Sequence, residues 1–521
     1  MEAPPPWVSS SLAVLLATAL FFLAAVLRRR RARNKRNLPP GPPPRPVIGN
    51  LNLIGPLPHR SLRELSARYG PLMSLRFGSF PVVVGSSVDA AEFFLKTHDL
   101  AFLDRPRMAC GKYTVYNYSG MLWSHYGAYW RQFRKLWLTE LLSARQLRQT
   151  EHVRAEEVRA MLRDLRRAGA AGAAAAAVVK EHLLMVTLNV VSRMVLGRKY
   201  VGEGAGSGAA AATPEEFRWM IEEIFFLNGA LHIGDMVPWL GWFDPNGYIG
   251  RMKRLGKMFD RFVEHVLREH EDRRRREGQA FVPNDMVDQL LQLADDPGLD
   301  VPIDRDGVKA SILELITGGT DTSSVTVEWA MSELLRKPEV LAKATEELDR
   351  VVGRDRLVAE VDIPSLPYLD AVVKETMRLH PVVPLLIPRV SREDTSVAGY
   401  DIPRGTRVLV NVWAIGRDPA VWGDAAEEFR PERFVGSGVE VKGQDLRLLP
   451  FGSGRRMCPA HGLGLRMVQL VLANLVHGFA WRLPDGVAPE KLSMEEKFGI
   501  SVSRMEQLKA IPEPKLPDHL Y

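Results

Sequence analysis

The chain has 521 residues, 46% of them hydrophobic and 25% charged, an ordinary globular composition that can bury a large core. Its formal charge of +7 comes from 69 basic against 62 acidic residues, but RRRRARNKR at 28–36 holds seven of the basic ones, so the rest is balanced and a nucleic-acid footprint is excluded. The two cysteines, Cys110 and Cys458, exclude a disulfide framework and a C-x-x-C redox or zinc pattern, and they suit a reducing compartment.

In chain order, residues 1–6 precede WVSSSLAVLLATALFFLAAVL, 7–27, a run of 21 residues without a charge that is long enough to span a bilayer. The basic cluster follows this run. The positive-inside rule then puts 1–6 in the lumen and the body in the cytosol. A cleaved signal peptide wants the opposite order, so an uncleaved single-pass anchor is expected. LPPGPPPRPVIGN, 38–50, has six prolines in thirteen residues and reads as a stiff, extended hinge closing a 28–50 linker. Although length alone suggests about three domains, 51–521 shows no internal repeat.

Within 51–521 the patterns are mainly helical, with small sheets and no βαβ alternation, an α+β arrangement. β-like runs occur at 71–87 and 406–415. Helices are expected at about 305–335, 340–351 and 367–380, and from after Pro459 to about Gly478. Alanine- and glycine-rich stretches at 168–177 and 202–214 read as surface loops or frayed helix ends.

Several features carry chemistry. YGAYWRQFRKLW, 126–137, puts Trp130 and Arg134 one turn apart, an indole N–H beside a guanidinium that suits a carboxylate or phosphate. An amphipathic helix with the tryptophan in the core and the arginine in water fits as well. In 306–337, Gly318 and Gly319 interrupt a helical pattern and Thr320, Asp321, Thr322 and Ser323 follow. Either the helix opens there and an acid beside a hydroxyl relays protons, or it ends at Gly319 with Thr320 as a new N-cap. Glu375 and Arg378 lie i, i+3 on one face, as a pair or as solvated surface charges. FRPERF supplies Arg433. In FGSGRRMCP, 451–459, Cys458 is either a small buried hydrophobe or a thiolate ligand.

Taken together and in this order, these features resemble the cytochrome P450 family of haem-thiolate monooxygenases. Phe451, Gly454, Arg456 and Cys458 match its F-x-x-G-x-R-x-C-x-G loop. GGTDTS, with Gly319, is similar to its oxygen-binding helix. Glu375, Arg378 and Arg433 resemble its Glu-Arg-Arg triad, and Trp130 with Arg134 its haem-propionate helix. VKGQDLRLLPFGSGRRMCP and GGTDTSSVTVEWAMSELLRKP resemble plant microsomal A-type members (71 clan), near flavonoid hydroxylases and homoterpene-forming oxidases. One departure is Ala460, where the family usually has glycine; slight cost is expected.

The resemblance implies one large haem domain behind the anchor, in the endoplasmic reticulum membrane, with haem b bound through Cys458 as iron ligand. Trp130, Arg134, Gly319, Arg389, Phe451, Gly454 and Arg456 would surround the haem, and Asp321 and Thr322 would direct protons to bound O2. Electrons would come from NADPH through NADPH–cytochrome P450 reductase, with Arg131 and Lys135 in a basic docking face. By the same resemblance Val383, Leu386, Phe498, Ile500 and residues around 113–121 line a greasy pocket for a terpenoid, a flavonoid or other phenolic, or a steroid. Oxidative C–C cleavage of the homoterpene type is the runner-up. A reductase-independent haem isomerase or lyase, or a non-catalytic haem protein, is disfavoured by the intact Asp321-Thr322 pair.

Overall fold

The structure, a computed structural model, describes residues 36–170, 176–201 and 213–521. The expected anchor at 7–27 and most of the basic cluster lie outside the described residues. Among the described residues no helix is long and apolar enough to cross a membrane.

The Pro-rich segment is docked rather than free. Asn37 and Asp401 exchange hydrogen bonds, Ser74 N donates to Pro40 O at 2.8 Å, and Asn50 N donates to Arg76 O at 2.6 Å. A hairpin follows, β1 (Leu72–Phe77) and β2 (Phe80–Gly85), paired from Leu72↔Gly85 to Phe77↔Phe80. Two later strands, β3 (Arg389–Val390) and β4 (Arg407–Val410), complete a sheet of order β1–β2–β4–β3, with β2 and β4 parallel. The 406–415 run is therefore strand only to Val410. Asn411 then accepts from Ala414 N and caps a short helix, Val412–Ile415.

The body is helical: α1 (Ala128–Leu136), α2 (Glu151–Ala170), α3 (Val179–Leu196), α4 (Pro214–Gly229), α5 (Tyr248–Glu277), α6 (Arg305–Arg336), α7 (Pro338–Val351), α8 (Pro367–Leu379) and α9 (His461–Gly478). Of the two low-complexity stretches, 171–175 and 202–212 lie outside the described residues. Thr213 opens α4 with a capping box to Glu216.

α6 organises the molecule. Asp304 caps it, accepting from Gly307 N at 2.8 Å. It then runs unbroken for 32 residues, about 48 Å of rise. It is buried almost all round and packs on α3, α9, α8 and α5. There is no helix end at Gly319. The hydroxyls of Thr317, Thr320, Thr322 and Thr326 each donate to the carbonyl four residues back, so they are satisfied without breaking the ladder. The glycines serve space. A Cβ on Gly318 would meet nothing within 4 Å, whereas one on Gly319 would lie 2.8 Å from Val191 on α3.

Candidate active site

Between α6, α1, α9 and the segment before β3 lies a cavity of about 340 Å³ with mostly apolar walls. Cys458 faces it from the loop that enters α9. That loop is held by Cys458 N donating to Phe451 O at 2.9 Å and Met457 N donating to Gly454 O at 3.1 Å. Burial pushes the thiol up, and the Ala460 N–H and the Arg134 charge act in the opposite direction. Ala460, at φ −92°, occupies a backbone region open to any residue, so alanine there brings no φ strain. Cys110 is buried on the short helix Ala109–Tyr113 and burial holds its thiol far above the usual range.

Gly452 and Gly454 both have positive φ, +69° and +72°. Only Gly452 lines the cavity. Gly454, expected at the cofactor, instead faces the backbone: a Cβ there would lie 2.0 Å from Leu95 O. Gly454→Ala is therefore expected to cost about 1–3 kcal/mol, read as a lower thermal midpoint.

One edge of the cavity is cationic. Arg134, one turn after Trp130 on α1, faces it, and so do Arg105, Arg389 and Arg456. Arg456 donates to three backbone carbonyls, of Leu103, Met121 and Ser124, and stacks over the Trp130 ring at 4.5 Å. Burial and then the neighbouring Arg389 push its guanidinium down to about 9. Arg105 donates to the carbonyls of Leu122, Ile387 and Pro388 and is depressed for the same kind of reason. Arg389 pairs with Asp99 at 2.7 Å. Trp130 Nε1 is buried with no partner. Buried guanidinium groups bonded mainly to neutral carbonyls, beside an unpaired indole N–H, call for an anion. A flat apolar group carrying two carboxylates and needing one thiolate ligand fits this chamber, and haem has that form.

The opposite wall is α6, with Gly318, Gly319 and Thr322 at the cavity. Asp321 lies on the far side of the helix and is not part of the lining. Its oxygens accept from Lys180 Nζ at 3.0 Å and Ser501 Oγ at 2.9 Å. Of the expected pocket residues, Val383, Leu386 and Ile500 line the cavity. Phe498 does not. It lines a neighbouring cavity of about 120 Å³ that shares Val383, Leu386, Ile500 and Asn228 with the first, because its ring packs on Phe226. Of the 113–121 stretch, Val115 and Met121 reach the cavity and Tyr113 does not.

Glu375, Arg378 and Arg433 meet outside the cavity. Arg378 forks onto Glu375 at 2.7 and 2.8 Å with both side chains fully buried, and Arg433 Nε reaches Glu375 Oε1 at 2.9 Å. The pair is not a solvated surface contact. It ties α8 to the loop ahead of the Cys458 segment, through Arg378 to the carbonyls of Gly416, Ala426 and Glu428.

The family model for cytochrome P450 matches residues 39–507. The chain belongs to the cytochrome P450 family. It is 53% identical over 506 residues to a trimethyltridecatetraene synthase of Zea mays, covering 93% of this chain and 90% of the relative. A dimethylnonatriene synthase of Zea mays is also 53% identical, over 498 residues, with 93% and 92% covered. A flavonoid 3'-monooxygenase of Arabidopsis thaliana is 45% identical over 495 residues, with 93% of each chain covered. A solved zebra fish cytochrome P450 with abiraterone superposes at a TM-score of 0.73 and 25% identity, over 88% of this chain and all of that one. The protein is thus a cytochrome P450 monooxygenase, an oxidoreductase of plant A-type likeness that uses haem b, O2, a small substrate and a redox partner.

Sequence reasoning missed three residues of this site. Arg105 and Glu314 line the cavity, and Lys180 holds Asp321. Only Glu314 had a readable signal: it stands eight residues before Thr322, on the same helical stripe.

Proposed function

We propose that this cytochrome P450 oxidises a small apolar plant metabolite, a terpenoid, a flavonoid or other phenolic, or a steroid, in the chamber between Cys458 and α6. The observation that carries the reading is that one apolar cavity has a lone thiol on one wall, a glycine-opened helix with Thr322 on the other, and anion-seeking groups at its edge. Cys458 would be the iron ligand. Trp130, Arg134 and Arg456 would hold the carboxylates of the cofactor, with Arg389 and Arg105 adding positive charge at the same edge. Phe451 and Gly452 line the same cavity and would flank it, and Glu375, Arg378 and Arg433 brace the fold. The bound haem supplies the one-electron and O2 chemistry.

The chain's own residues orient the substrate, exclude water and move protons. The apolar side chains Val383, Leu386 and Ile500 hold an apolar molecule, and Leu386 does so from a left-handed turn at φ +50°. Thr322 Oγ1 donates to Gly318 O at 2.9 Å and, by rotating, turns the same proton into the cavity. Asp321 is the charged group behind it. Its carboxylate passes a proton on only after releasing Lys180 or Ser501. Thr322→Ala is expected to keep NADPH consumption while product per NADPH falls on the order of tenfold or more, measured as the ratio of product to NADPH used. Unchanged coupling would contradict the role of Thr322.

Electrons come from NADPH–cytochrome P450 reductase. Arg131 and Lys135 are exposed on the outward side of α1 and suit an acidic partner. Residues 7–27 anchor the protein in the endoplasmic reticulum membrane, 28–50 follow as basic flank and hinge, and 51–521 form the cytosolic catalytic domain. Exposed apolar side chains support a membrane-facing side: Val47 is 54%, Trp239 65% and Trp242 80% exposed. Gly78 N bonds Ile48 O and Ser79 N bonds Met236 O, so the backbone next to Val47 and the segment leading to Trp239 and Trp242 both dock on the turn between β1 and β2. The likeness to the two Zea mays synthases favours C–C cleavage as a second reading. Membranes carrying the protein and a plant reductase, given NADPH and a panel of terpenoids, flavonoids and steroids, separate the two. A mass gain of one oxygen supports hydroxylation, a product with carbons lost supports cleavage, and reductase-independent turnover would overturn both.

A further inference from the structure

Glu314 is the one carboxylate among the described residues that line the cavity. Its Oε2 accepts from Met121 N at 2.8 Å and its Oε1 from Leu122 N at 3.0 Å. Gly120 makes room for it, since a Cβ there would stand 2.1 Å from Oε1. The carboxylate is thus fixed against the 120–122 backbone. A carboxylate offers about four acceptor positions, and the two amides fill two. The nearby Arg456 is spent on backbone carbonyls, including that of Met121, rather than on Glu314. Burial pushes the Glu314 carboxyl up to about 7, against the two amides and the Arg456 charge. A buried carboxyl with unfilled acceptor positions in an apolar chamber is costly until a donor arrives.

Of the other polar side chains that line the chamber, Asn228 and the threonines of α6 are already engaged. Asn228 accepts from Trp123 Nε1 at 3.1 Å and donates to Ile224 O at 2.7 Å. The threonines of α6 donate to their own helix.

We propose that Glu314 is a substrate anchor whose carboxylate accepts a hydrogen bond from a hydroxyl group on an otherwise apolar substrate, an alcohol or a phenol. The inference rests on the monooxygenase reading above and narrows its substrate class. Glu314, Gly318 and Thr322 stand at i, i+4 and i+8, one stripe of α6 spanning about 12 Å of rise. A molecule held by its hydroxyl at Glu314 lies along the side-chain-free groove at Gly318. Its far end comes beside Thr322, the end of the chamber where oxidation is proposed.

The test is ligand titration of the haem-loaded full chain, read by the spin-state change in the absorbance spectrum. The probes are 2-naphthol, its methyl ether and naphthalene, and 1-decanol with decane. In the wild type, 2-naphthol binds roughly tenfold more tightly than its methyl ether, which keeps the oxygen but cannot donate. In Glu314→Leu the affinity ratio of each hydroxyl compound to its hydrocarbon falls by roughly tenfold. Equal binding of 2-naphthol and its ether by the wild type overturns the proposal without any variant. An unchanged ratio in Glu314→Leu, with all probes weakened alike, also overturns it, because Glu314 would then only prop the 120–122 backbone. A wild type with a thiolate-type carbon monoxide band leaves the monooxygenase reading intact in either case, and one without that band overturns both.

Discussion

Replacing Cys458 with alanine is expected to abolish oxidation and to remove the thiolate-type absorption band of the reduced carbon monoxide complex. The loop that presents Cys458 is shaped by backbone bonds, Cys458 N to Phe451 O and Met457 N to Gly454 O, and by two glycines at positive φ. None of these needs the sulfur, so the loop keeps its course and the loss is chemical. No other thiol can substitute, since Cys110 is 1% exposed on a separate helix and outside the cavity lining. Burial pushes the thiol up, and against it the Ala460 N–H and the Arg134 charge favour the thiolate. Retention of the band in Cys458→Ala would contradict the assignment of the iron ligand.

Glu375→Ala is expected to yield little or no folded, haem-loaded protein. Among the described residues, Glu375 is the one carboxylate that pairs with the guanidinium groups of Arg378 and Arg433, and it also accepts from Arg430 N at 2.6 Å. Removing it leaves Arg378, 1% exposed, as an uncompensated buried charge. Breaking such a pair costs about 3–5 kcal/mol, a large share of the roughly 5–15 kcal/mol by which domains are stable. The matched control is Lys343→Ala. Its pair with Glu432 is 55% and 46% exposed, so its loss should stay within about 1 kcal/mol. Thermal midpoints and the yield of carbon monoxide-binding protein measure both. A Glu375→Ala protein as stable as Lys343→Ala would contradict the bracing role.

Much of the fold was legible because its signals are local. Helical periodicity placed α6 at about 305–335 and α8 at 367–380, against Arg305–Arg336 and Pro367–Leu379 observed. Proline and glycine punctuation placed the start of α9 near His461. The strand after residue 406 is overextended in the sequence reading because VLVNVWAI is apolar except for Asn411, and the cap that Asn411 makes to end it depends on one side-chain bond.

The site was legible wherever its residues share one turn or one loop: Trp130 with Arg134, Glu375 with Arg378, and Phe451 through Cys458. It was illegible wherever the partner comes from a distant part of the chain. Lys180 and Ser501 stand 141 and 180 positions from Asp321, and together they turn an expected cavity group into one held behind the helix. Resemblance alone puts Phe498 in the main pocket, but the course of its loop past Phe226 sends its ring into the adjoining cavity. Gly454 is among the residues that the resemblance puts around the haem, whereas the atom its missing side chain makes room for is Leu95 O, more than three hundred residues earlier.

The central claim is that this chamber inserts oxygen from O2 into a small apolar molecule. Membranes bearing the protein and NADPH–cytochrome P450 reductase, supplied with NADPH under isotopically heavy O2 in ordinary water, test it most directly. The account predicts that heavy oxygen appears in the product of a substrate from the panel, and that omitting NADPH or the reductase removes it. A product whose oxygen comes from water, or one formed equally well without O2 and reductase, would contradict it.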